Sequence, residues 1–151
     1  MAMSFDANIN DPDLIEAIEY CQVAPGLRKI KEFLDRSNLS ADLKAMLYDL
    51  AGFTIKVGEV VVAIGRRILS VAMWVVENIP HITLGIAAAV AASTLVGVVP
   101  FIGTVLSPIV LKLVLLLGVT AGAIEDIRMH AAKDAMDDFT NRVRAFSTVR
   151  V

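Results

Sequence analysis

The sequence predicts an all-α integral membrane protein built around an apolar transmembrane helical hairpin, on three observations. Hydrophobic residues make up 56% of the 151 residues and mean hydropathy is +0.67, whereas ordinary domains are about 45–50% apolar. The excess is concentrated in the middle third of the chain. There, residues 82–124 contain one formal charge, Lys112, over a length that suits two spans of about 20 residues each.

Residues 1–38 are predicted to form two short amphipathic helices. Asp11 is a suitable N-cap, and Pro12 then occupies the first helical position. Pro25 and Gly26 end this helix, and apolar residues recur at helical spacing on one face of the next. Two such helices need a partner surface for stability.

Residues 39–79 are predicted to form one long amphipathic helix, with breaks possible at Gly52, Gly58 or Gly65, because Ser40 can cap it and no proline occurs before Pro80. Polar residues recur along it at a seven-residue step, which predicts a narrow polar stripe. Three interpretations stay open: a helix lying at the membrane interface, a third span over 53–76 that lines a pore, or a helix packed on a helical shell. The candidate pore-lining or interfacial residues are Lys56, Glu59, Arg66 and Arg67.

Residues 80–124 contain the predicted hairpin. Pro100 lies near its midpoint and Gly103 follows, so we place the turn at 99–103 between spans 82–99 and 104–124. Small residues recur every four positions in the first span and form a GxxxG pair in the second. Such spacing lets helices approach closely, either within one hairpin or between subunits of a homo-oligomer. These residues are Gly85, Ala89, Ser93, Gly97, Gly118 and Gly122.

Lys112 is the most unusual residue of the hairpin. An ammonium group near a bilayer centre is unfavourable by a few kcal/mol on insertion scales, so such residues usually face water or protein. Its long stem could instead extend to the far interface. The alternatives are an aqueous path or a pair with an acidic residue.

Residues 125–151 are predicted to form a C-terminal amphipathic helix, which with the N-terminal pair offers a surface for a protein partner. Basic residues flank both outer ends of the hairpin and are absent from its turn. The positive-inside rule then predicts that both termini are cytoplasmic.

Several classes of function are disfavoured. A net charge of −2, from 14 basic and 16 acidic residues, argues against nucleic-acid binding. Cys21 is the only cysteine, so no intramolecular disulfide can form. The sequence has no phosphate-binding loop, no zinc-protease motif and no hydrolase nucleophile motif. We therefore expect no enzyme activity, no cofactor and no metal, and we interpret the polar face around His130 as solvated.

Amphipathic helices around an uncharged hairpin, over roughly the last two-thirds of the chain, resemble the plan of pore-forming colicin domains and other helical pore-formers. The likeness is architectural and assigns no residue roles. The first functional hypothesis is a self-associating protein of the bilayer that forms or gates a pore, or permeabilises a membrane, as a lysis, toxin or defence effector. The alternatives are a structural or scaffolding subunit of a membrane-associated assembly, and a soluble helical bundle that inserts its hairpin on triggering.

Overall fold

The computed structural model describes residues 2–5 and 11–149, which contain eight α-helices and one small three-stranded sheet. The prediction of a predominantly helical protein is confirmed. In chain order the elements are β1 (Ala2–Phe5), α1 (Pro12–Gln22), α2 (Leu27–Asp35), α3 (Ala41–Ala51), β2 (Thr54–Val57), β3 (Val60–Val62), α4 (Ile64–Asn78), α5 (Leu84–Val98), α6 (Gly103–Leu117), α7 (Ala121–Met129) and α8 (Lys133–Val143).

The two short N-terminal helices form where the sequence predicts them. The Asp11 carboxylate accepts a hydrogen bond from the Asp13 backbone N–H at 3.0 Å and so caps α1. Gly26 separates α1 from α2, and α2 buries Ile30 and Leu34 on one face. Local capping and breaking signals decide these boundaries.

The prediction of one continuous helix over 39–79 is wrong. The chain forms α3, then the hairpin of β2 and β3, then α4. Gly52 ends α3, and the following run is rich in β-branched residues, which favour strands. Gly58, at φ 59°, lies in the turn between the strands. Ile55 and Val57 are buried on alternate positions of β2, which pairs antiparallel with β3 and parallel with β1.

The apolar hairpin has the predicted turn, but its second arm is shorter than predicted. Helices α5 and α6 pack together and are joined by a 3₁₀ turn over Pro100–Ile102. The second arm ends at Leu117 rather than at 124, because Gly118 adopts the left-handed conformation at φ 70° that terminates helices. Thr120 then caps α7, which leaves α6 at an angle of 101°.

The C-terminal segment is also divided, where a single helix was predicted. Helix α7 ends before His130, α8 begins at Lys133, and a 3₁₀ turn over Arg144–Thr148 follows. No residue between the two helices is a strong helix breaker. Buried Ala132 and Phe139 show that packing on the core directs this segment.

Helix α5 is the centre of the core, because α3, α4, α6, α7 and α8 all pack against it. Within residues 11–149, the buried side chains are apolar apart from that of Thr94, whose hydroxyl donates to the Val90 carbonyl at 2.8 Å. An α-helix that is apolar all round requires such cover from its neighbours.

Candidate functional site

The first arm of the hairpin is almost completely enclosed by protein. Residues 87–92 are five alanines and one valine, and each of them is at most 1% exposed. Small side chains allow the neighbouring helices to approach the α5 backbone closely. The arm therefore lies in an environment nearly as dry as a bilayer interior, although the enclosing groups are protein.

The second arm has a similar composition but lies at the edge of the bundle. Leu106 and Leu113 are fully buried against the core, whereas the opposite side of α6 faces outward. Leu111 is 60% exposed and Leu115 is 72% exposed. We call this side the outer face of α6. Its exposed residues are Thr104, Ser107, Pro108, Leu111, Lys112, Leu115 and Leu116, so from Pro108 onward it is apolar apart from Lys112.

Lys112 lies on the outer face between exposed leucines. Within the described part of the chain, its ammonium group forms no ion pair or hydrogen bond. An exposed lysine needs no protein partner, because water solvates it. Its unusual feature is that it is the single formal charge on α6.

The small residues of the hairpin do not form one surface. A Cβ at Gly85 would lie 2.7 Å from Leu117 Cδ2 and 3.1 Å from Leu43 Cδ2, so this glycine permits close packing of α5 on α3 and α6. Ala89 is also buried, Ser93 is half-buried, and Gly97 is exposed. The small residues of α5 near Gly85 therefore serve packing between helices of this chain.

Gly118 and Gly122 do not form the helical GxxxG surface that their spacing predicts. Gly118 caps the end of α6, and Gly122 lies in the first turn of α7 after the bend. The two residues would share one helix face only if the chain were helical through Thr120.

The charged residues predicted to form a stripe with Lys56 lie on three separate elements. Lys56 is half-buried on β2, Glu59 is exposed in the turn of the β-hairpin, and Arg66 and Arg67 are in the first turn of α4. The structure brings together only the two arginines. Lys112, on α6, belongs to a different surface.

The two arginines hold the end of α1. Arg66 Nη1 donates to the carbonyl oxygens of Ala24 and Pro25 at 3.3 and 3.4 Å. Arg67 Nε donates to the Tyr20 carbonyl at 2.9 Å, and its guanidinium carbon lies 4.0 Å from the Tyr20 ring centroid. The last carbonyls of a helix lack intrahelical partners, and cations stabilise that end. Arg67 therefore ties α4 to the end of α1, and Arg66 ties α4 to the loop that follows α1.

Replacement of Arg67 by methionine is expected to lower the free energy of unfolding by about 2 kcal/mol, because hydrogen bonds from charged donors and a cation–π contact are lost. Urea unfolding followed by circular dichroism measures this. Arg28, whose side chain is 94% exposed, provides the matched control, and its replacement by methionine should have little effect. Equal midpoints for the two variants would contradict the structural role of Arg67.

Sequence reasoning missed Tyr20, around which two grooves meet. One groove, of about 480 Å³, lies between α4 and α8 and is lined by Tyr20, Arg67 and half-exposed Trp74. The other groove, of about 730 Å³, is lined by Tyr20 and Glu16 among others. Arg142 borders both, pairs with Asp138 at 3.3 Å and lies 5.3 Å from the Tyr20 ring centroid. Burial raises the pKa of the Tyr20 hydroxyl. The charges facing the grooves are mixed and partly paired, so they define no ligand class.

The part of the chain that the structure describes has no cluster of three or more metal-ligating side chains. In the same part of the chain, none of the helices alone combines the length and apolar character needed to cross a bilayer. By length and composition, only the bent pair α6 and α7 meets that requirement jointly.

Comparison of the chain with protein-family models, curated proteins and solved structures finds no match.

Proposed function

We propose that the protein is a membrane-active helical bundle that holds its α5–α6 hairpin folded until it meets a bilayer, inserts the hairpin there and permeabilises the membrane as a homo-oligomer. One observation carries the proposal: α6 exposes Leu111, Leu115 and Leu116 on the side that protein does not cover, although its opposite side is buried in the core.

Helix α6 supports the proposal more strongly than α5 does. An apolar helix at the centre of a bundle is explained by its role in the core. A helix at the edge of a bundle normally carries polar residues on its outer side. Helix α8 follows that rule, with exposed Asp134, Asp137 and Asn141. The leucines on the outer face of α6 have no such explanation and suit a helix that also enters lipid.

The lengths of the arms indicate what insertion requires. A helix of 15 residues, such as α6, is about 22 Å long, whereas the hydrocarbon core is about 30 Å thick. If the bend at Gly118 straightened, residues 103–124 would form a helix of about 33 Å. In the same way, residues 82–99 would span about 27 Å. Insertion would therefore open the bend between α6 and α7.

Oligomer formation would reuse surfaces that the folded bundle covers. Gly85 and Ala89 pack within the chain before insertion. Once α3 has left the hairpin, these small residues can contact another inserted copy. A straightened α6–α7 helix would also bring Gly118 and Gly122 onto one face.

Addition of the protein to dye-loaded vesicles is expected to release the dye, while protease treatment of the recovered vesicles leaves a protected fragment that contains residues 82–124. The protection follows because lipid excludes protease from an inserted hairpin. Mass spectrometry of the fragment and fluorescence of the dye measure the two effects. Vesicles that retain their dye while carrying a protected hairpin would refute permeabilisation. Release without protection would refute hairpin insertion.

A further inference from the structure

We infer that the outer face of α6 is a docking surface for a bilayer containing anionic phospholipid, which the bundle contacts while it is still folded. The inference rests on the proposed function for its partner, and it adds the contact surface, the lipid class and the order of events. Docking would precede any opening of the hairpin.

The apolar part of the outer face fits a membrane interface. Leu111, Leu115 and Leu116 lie at helical spacing and are 60%, 72% and 43% exposed. Exposed apolar side chains that lie side by side, rather than scattered singly, favour a binding surface. A helix lying in the interface plane buries such a face at the boundary between headgroups and acyl chains.

The distribution of charge favours anionic lipid. No aspartate or glutamate occurs in residues 78–124, so Lys112 gives this region a positive charge although the whole chain has a net charge of −2. Carboxylates lie at its borders: Asp49 lines the cavity of about 360 Å³ between α3 and α6, and Glu125 follows the bend into α7. The rest of the chain has 13 basic and 16 acidic residues, so an anionic surface repels its net charge of −3, which orients α6 toward that surface.

Lys112 also argues against a second copy of the chain as the occupant. A symmetric dimer uses the same patch on both subunits. An interface centred on α6 would bring the two Lys112 side chains into one apolar contact without a carboxylate from the outer face. Burial of unpaired charge is strongly unfavourable. At a bilayer, Lys112 extends its stem along the apolar surface and places its ammonium group among the lipid phosphates.

The binding test is flotation of the intact protein with vesicles of phosphatidylcholine and phosphatidylserine. Leu115→Glu is expected to weaken binding by about tenfold or more, since it replaces apolar contact with a repelled charge. Val61→Glu is the matched control, because Val61 is 53% exposed on β3 and should leave binding unchanged. Lys112→Gln should weaken binding to these vesicles about fivefold and binding to pure phosphatidylcholine much less.

A fluorescent label tests the order of events. Leu115→Cys provides an exposed thiol, whereas Cys21 is fully buried and burial raises the pKa of its thiol to about 12, so Cys21 should not react. The label should shift to the blue on vesicles. The spectrum of Trp74, in a groove with no lining residue from α6, should stay constant until dye release begins.

The outcomes separate the docking surface from the proposed function. If the wild type binds vesicles, Leu115→Glu weakens that binding and no dye is released, the result supports docking and overturns permeabilisation. Dye release with equal binding of wild type and Leu115→Glu overturns docking and leaves permeabilisation standing. If the protein binds no lipid but forms a dimer that Leu115→Glu dissociates, a second copy of the chain occupies the outer face of α6, and the inference is overturned. Equal effects of Lys112→Gln on both vesicle types overturn the choice of anionic lipid.

Discussion

Replacement of Gly65 by alanine is expected to lower the free energy of unfolding by about 2–3 kcal/mol, as overpacking does in close-packed interiors. Gly65 lies where the start of α4 meets the end of α3. An added Cβ would overlap the Leu50 carbonyl oxygen and lie 2.8 Å from both N and O of Phe53. These are backbone atoms, and the Gly65 N–H donates to the Phe53 oxygen at 2.9 Å. The methyl group can therefore be accommodated only if α3 and α4 separate.

Urea unfolding followed by circular dichroism measures the effect, with Gly97→Ala as the control. Gly97 is an exposed residue of α5, and nothing lies within 4 Å of its Cβ position. Because alanine favours helix, this control should raise stability by about 0.5–1 kcal/mol. If Gly65→Ala were as stable as Gly97→Ala, the close contact of α3 with α4 would be disproved.

Replacement of Leu111 by arginine is expected to reduce dye release about 100-fold while leaving the folded bundle intact. Leu111 is near the middle of α6 and is 60% exposed in the folded state, so arginine is solvated there. In an inserted arm the same position lies near the bilayer centre, where arginine is unfavourable by about 2.5–3.5 kcal/mol. The rate of dye release reports on the inserted arm, and the urea midpoint reports on the folded bundle.

Binding to anionic vesicles should change only a few-fold in Leu111→Arg, since arginine loses apolar contact but is attracted to the lipid phosphates. Val61→Arg, at an exposed position on β3, is the matched control and should release dye as the wild type does. Release by Leu111→Arg at the wild-type rate would mean that α6 does not cross the bilayer.

The elements that the sequence predicts well are those with local signals. The Asp11 cap, the break at Gly26 and the turn at Pro100 each act within a few residues, so their boundaries follow from composition and spacing. The predicted helix is wrong around Gly58, because the seven-residue step of the polar residues there also suits a helix. The β-branched residues beside Gly58 were the stronger signal, and they favour strands.

The candidate site depends on contacts that spacing alone does not reveal. The lone charge of Lys112 distinguishes α6 in the sequence, yet which side of α6 faces outward depends on where α5 packs. Arg66 and Arg67 bind the carbonyls of residues more than 40 positions earlier in the chain. Only the tertiary arrangement distinguishes that structural role from pore lining.

The burial of α5 has a kinetic consequence for the proposed insertion. Alanine side chains leave water when the bundle folds, so their later transfer from a protein core to hydrocarbon changes hydration little. The barrier to the proposed insertion then arises where the hairpin must separate from the helices that cover α5, which include α3 and α4. Gly65→Ala loosens the packing of these two covering helices without changing the residues of α5 or α6. This variant should therefore release dye faster than the wild type, although it is the less stable protein.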